Sequence, residues 1–141
     1  MSGSFDALLR EVNASPSERK LIELIERTNL SADLKAILCD LARITVRVGG
    51  KVVAIGRRIL AFALDLIRTF PGMAAGAVVA LVLAGLIDSI PGIGNRYLMA
   101  VLTPLLLAIG IGIGALRDMT SPDFNVRVGA LVDSFRVLVA V

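Results

Sequence analysis

The spacing of hydrophobic positions changes several times along this chain. Between residues 16 and 28, Leu21, Ile22, Leu24 and Ile25 form one face among Glu18, Arg19, Lys20, Glu23 and Glu26, the pattern of an amphipathic helix. Ser15, Pro16, Ser17 and Glu18 read as a capping box with Pro16 at the first helical position. Leu8, Leu9 and Val12 indicate a short helix before it, and Ser31 can cap a third after the break at Asn29.

The next segment supports two patterns. Ile44, Val46 and Val48 alternate with Thr45 and Arg47 ahead of Gly49-Gly50, as in a hairpin with a two-residue turn. Ile44, Val48, Val52, Ile55, Ile59, Phe62 and Leu66 also recur at helical spacing, unbroken up to Thr69. The helix is preferred, kinked at the glycines, because a lone two-stranded ribbon leaves unpaired edges. It sets Arg43, Arg47, Lys51 and Arg58 on one basic stripe.

Beyond Thr69 the periodicity gives way to two uncharged runs. Phe70 to Ile87 and Tyr97 to Leu116 contain 18 and 20 residues without a charged side chain. As helices they would be roughly 27 and 30 Å long, close to hydrocarbon thickness. A chain of 141 residues is short of the protein needed to surround two such helices, so lipid is the expected solvent. In the tail, Thr120-Ser121-Pro122-Asp123 opens a further amphipathic helix with Phe124, Val128, Leu131, Phe135 and Leu138 on one face.

The expected fold is therefore all-α: an integral membrane protein built on a two-span antiparallel helical hairpin, with an amphipathic helical N-terminal head and an amphipathic C-terminal helix. Its parts are a cytoplasmic head (1–40), a basic pre-membrane helix (41–69), transmembrane helices (70–87 and 97–116), an outer loop (88–96) and a cytoplasmic tail helix (117–141). Eleven of the 15 Lys and Arg precede residue 70, one lies in the loop and three in the tail. By the positive-inside rule both termini are then cytoplasmic and the protein is a multi-pass component of the plasma (inner) membrane.

Composition narrows the chemistry. With no His and one Cys, a histidine base, a histidine metal ligand and a thiolate zinc site within one chain are excluded. Cys39 reads as a small buried hydrophobe. The net charge of +3 comes without aromatic-basic interleaving, which argues against nucleic acid and for a bilayer with anionic headgroups. No nucleophile has a recognisable paired base, so neither an enzyme nor a cofactor is expected.

Assembly is the remaining theme. Gly72, Gly76, Ala80 and Ala84 recur every four residues in the first uncharged run, and Ala108 and Gly112 share a strip with Ala100 and Pro104 in the second. Such lanes let backbones approach, closing a hairpin or joining copies into a homo-oligomer. The basic stripe Arg43, Arg47, Lys51 and Arg58 has three readings: contact with lipid headgroups, the lining of a vestibule, or docking of an acidic partner. The leading expectation is a self-associating oligomeric pore or membrane-perturbing effector without covalent chemistry. The alternative is a membrane anchor or scaffold that recruits a cytoplasmic protein through its N-terminal head.

Overall fold

The computed structural model describes Ala7, Arg10 and residues 16–28, 30–48, 50–90 and 95–140. Leu8, Leu9 and Val12 of the expected first helix, Ser15 of the capping box and residues 91–94 of the loop lie outside these. In chain order the elements are α1 (Glu18–Glu26), α2 (Ala32–Ala42), β1 (Val46–Val48), β2 (Lys51–Val53), α3 (Ile55–Thr69), α4 (Ala75–Ser89), α5 (Asn95–Ile109), α6 (Ile113–Asp118) and α7 (Pro122–Ala140).

Local chemistry sets the helix starts. Ser17, rather than Ser15, caps α1 by accepting from the Lys20 amide at 3.2 Å, which leaves Pro16 one residue before the cap. Ser31 caps α2 through the Leu34 amide at 3.3 Å. Ser121 accepts from the Phe124 amide at 3.2 Å, with Pro122 opening α7 where its missing N–H costs nothing.

The preferred helix across residues 41–55 is replaced by the hairpin. β1 and β2 pair antiparallel, Val46 with Val53, Arg47 with Val52 and Val48 with Lys51, and Gly50 takes φ +79°. Val53 is thereby fully buried, whereas Arg47 and Val52 stay exposed. The base of the ribbon shows why the helix loses. The Gly56 amide donates to the Ile44 carbonyl at 3.0 Å, and Gly56 lies so close to the Leu41 carbonyl that a Cβ would overlap it. In one continuous helix positions 41 and 56 would be about 22 Å apart.

α4 is the centre of the molecule. Every residue from Gly76 to Ala84 is buried, and so is Leu86, with α3, α5, α6 and α7 packed around it. A helix apolar on all sides is an interior helix when enough neighbouring surface exists to cover it. Here the surface comes from amphipathic neighbours: Ile55, Ile59, Leu60, Ala63 and Leu66 of α3, Leu98, Val101, Leu102 and Leu105 of α5, and Phe124, Val128, Leu131 and Phe135 of α7 join one apolar core. The α1–α2 pair extends that core through Leu21, Ile25, Leu38 and Leu41.

Among the described residues no helix is long and apolar enough to cross a membrane. This overturns the integral membrane fold, the two spans, the pore and the multi-pass placement in the plasma (inner) membrane with both termini cytoplasmic. α4 has 15 residues, about 22 Å, because the chain turns at Pro71–Met73 before the helix begins. The second run is cut in two: α5 ends at Gly110, whose φ of +77° and amide bond to the Leu106 carbonyl at 2.9 Å make a left-handed helix stop, and α6 restarts after Gly112. An ion pair settles the geometry independently. Asp88, expected at the outer loop, is paired with Arg117, expected in the cytoplasmic tail.

Two glycine substitutions should separate steric from conformational demand. Gly56→Ala should cost more than about 3 kcal/mol, because the obstructing atom is backbone and cannot rotate away. Gly50→Ala, with open space around it but a positive φ, should cost about 1 kcal/mol. Urea denaturation of both variants reads the difference directly.

Candidate functional site

α2 and α5 pack on each other but diverge enough to leave a groove of about 220 Å³, floored by Ile37, Ile44, Val101 and Pro104. Asp40, Tyr97 and Ala100 complete its rim. Pro104 sits inside α5 and has no N–H to give the Ala100 carbonyl, so that acceptor is left at the groove without its usual helical donor. The groove is thus an apolar slot edged by oxygen atoms.

It opens onto the outer face of α5. Tyr97, Met99, Ala100, Thr103, Pro104, Leu107 and Ala108 are all exposed there, Leu107 to 79%. Between Arg96 and Arg117 no residue is Asp, Glu, Lys or Arg, so this face lacks the charges that ordinarily solvate the outside of a helix. Single exposed apolar residues mean little; here several lie together as an uncharged stripe beside the groove.

A second cleft of about 250 Å³ lies between α4, α6 and α7, lined by Leu81, Gly85, Thr120, Phe124, Asn125 and Val128 with Arg117 at its edge. Asn125 donates to the Thr120 hydroxyl at 3.1 Å, and Arg117 is engaged by Asp88. Next to it the Phe124 ring meets Phe70 edge-on at 5.5 Å, and the Arg127 guanidinium stands 5.9 Å from the Phe70 ring centre. These contacts fasten α7 to the end of α3.

The expected packing residues divide sharply. Gly76, Ala80 and Ala84 are buried on α4, where a Cβ on Gly76 would come within 3.2 Å of Ile109 and so fixes the antiparallel approach of α5. Gly72 lies in the exposed turn before α4, while Ala108 and Gly112 are exposed at the end of α5. The small-residue lane of the first run is spent inside the chain, and that of the second faces outward.

The basic residues share no stripe. Arg43 ends α2 and donates to Glu18 at 2.8 Å, with Asp40 at 3.9 Å; the bond to Glu18 holds its pKa above the ordinary value. Arg47 and Lys51 stand on opposite strands of the ribbon, and Arg58 leans over the Phe62 ring at 5.8 Å on α3. The hairpin turns the chain between these positions and disperses them. Sequence reasoning missed Tyr97, Ile37 and Ile44 as groove residues, because only the return of α5 onto α2 brings them together.

Among the described residues no polar or charged side chain is buried, and no group of three His, Cys, Asp or Glu could hold a metal ion. Set against protein-family models, curated proteins and solved structures, the chain matches none of them.

Cys39 is half-buried on α2, and burial pushes its thiol pKa up, with Arg43 acting in the opposite direction. It should therefore remain protonated near neutral pH and react with iodoacetamide more slowly than a free cysteine, the rate rising as pH is raised into the alkaline range. The dispersed cations make a second test. Arg43→Glu should lower the denaturation midpoint by setting like charges beside Glu18 and Asp40, whereas Arg47→Glu, exposed on the ribbon, should leave it near wild type.

Proposed function

We propose that the chain is a non-enzymatic docking module, which works by presenting the outer face of α5 and its adjoining groove to an uncharged helix of another polypeptide. The observation that carries this reading is the exposure of Leu107 at the centre of a helical face that bears no charge between Arg96 and Arg117. Helix-in-groove recognition needs an apolar slot, a rim of acceptors and a rigid platform. The Ile37–Pro104 groove offers the slot, Asp40 and the Ala100 carbonyl the rim, and the packing of α5 against α4 the platform.

The chemistry of the face selects its partner class. A charged side chain laid on the uncharged centre of the face, away from Asp40 at the groove rim, would be buried unpaired, which is strongly unfavourable, whereas apolar side chains lose only water. Small residues at Ala100, Pro104 and Ala108 permit the close approach that a helix of mixed small and large side chains requires.

Leu107→Glu should leave the thermal midpoint within a few degrees of wild type, since the side chain is exposed. In extracts of the cells that make this protein, it should move the chain from a larger particle to monomer size on a sizing column. An unchanged particle size in a folded variant would sink the docking reading.

A further inference from the structure

Among the described residues β1 and β2 are the only strands, so the ribbon they form has open edges. Its register fixes what the edge of β1 presents. Only positions 49 and 50 lie between the paired Val48 and Lys51. A hairpin with so short a turn makes Val48 and Lys51 a hydrogen-bonded pair, and by alternation Val46 and Val53 another. Arg47 falls between these pairs, so its N–H and C=O point away from β2. Among the described residues no hydrogen bond outside the ladder involves it. Thr45 and Arg47 are exposed, and apart from β2 no element packs extensively against β1.

Charge selects what can lie along that edge. From Leu41 to Leu64 the chain has no Asp or Glu, but it carries Arg43, Arg47, Lys51, Arg57 and Arg58. Glu18 and Asp40 engage Arg43, whereas no ion pair involves Arg47 among the described residues. We propose that the edge of β1 takes up an extended acidic segment of another polypeptide, which adds antiparallel as a third strand. The surface is distinct from the outer face of α5, and the inference does not depend on the docking reading above.

Strand addition draws affinity from main-chain bonds and specificity from alternate side chains. The residue opposite Arg47 in the added strand exchanges both main-chain bonds with it, and the two side chains stand on one face of the sheet. A Glu there sets a carboxylate beside the guanidinium, a favourable cross-strand pair. Val52, on the same face and 49% exposed, extends the platform. A basic segment is repelled by the surrounding cations. So is a second copy adding antiparallel through its own Arg47, which sets cation against cation and keeps the open edge from pairing with itself.

Fluorescence anisotropy tests the proposal, with the purified full-length chain titrated into a labelled peptide of about six residues, an ordinary strand length, alternating glutamate and valine. The expected result is saturable binding, with the Arg47 amide protected from hydrogen exchange in the complex. Arg47→Glu should weaken binding about 10-fold or more, whereas Arg68→Glu, the same change of charge in the last turn of α3, should alter it by less than about 3-fold. Leu107→Glu should likewise leave it unchanged, which separates this surface from α5. Methylating the glutamate nitrogens keeps the peptide's charge but removes its donors to β1, and should weaken binding about 10-fold or more. A folded chain that does not bind the peptide, or that binds anionic-lipid vesicles in its place, overturns the proposal. So does equal binding of the methylated peptide, or an equal loss from Arg47→Glu and Arg68→Glu.

Discussion

Everything in this fold depends on covering α4. A helix with Val78, Val79, Leu81, Val82, Leu83 and Leu86 around its circumference has no polar side to leave in water, and each such side chain gains about 1.5–3 kcal/mol from burial. Most helices need one neighbour; this one needs them on all sides. α3, α5, α6 and α7 each contribute one apolar face, and their order around α4 fixes where the chain must turn. The helix stop at Gly110 and the aromatic clasp of Phe70 and Phe124 are consequences of that requirement, since they return α6 and α7 to a helix already passed.

Much of the local structure was legible in the sequence. Ser31 and the Ser121-Pro122 pair mark helix starts through chemistry confined to a few residues, and the spacing of Phe124, Val128, Leu131 and Phe135 specifies the inner face of α7 without reference to anything else. The solvent of the uncharged runs was not legible in the same way. Hydropathy records that Phe70–Ile87 avoids water, and lipid and protein satisfy that preference equally. What decided between them was length, through Pro71, Gly110 and Gly112, and the supply of amphipathic helices elsewhere in the chain. The estimate that 141 residues could not surround two apolar helices failed because only one of them is surrounded.

The ribbon shows a different kind of ambiguity. Its valines fit periods of two and of nearly four, so local pattern was compatible with strand and helix alike. The deciding contact, Gly56 against Leu41 and Ile44, joins residues whose proximity no periodicity announces. Gly56 is where α3 crosses the end of α2, and the cluster Arg43, Arg47, Lys51 and Arg58 dissolved with the helix that had aligned it. The groove was hidden for the same reason: Ile37, Ile44 and Pro104 meet through tertiary return, and only the uncharged character of α5 could be read beforehand.

The central position of α4 also has a consequence in time. Its covering is supplied from both directions along the chain, by α3 before it and by α5, α6 and α7 after it. At ribosomal speeds of about 5–20 residues per second, the stretch from Ser89 to Phe135 takes roughly 2–9 seconds to synthesise. For that interval the most apolar helix of the protein exists with only part of its partners made. Nascent chains therefore pass through a state whose exposed surface invites chaperones and one another, and the interval ends only when α7 docks.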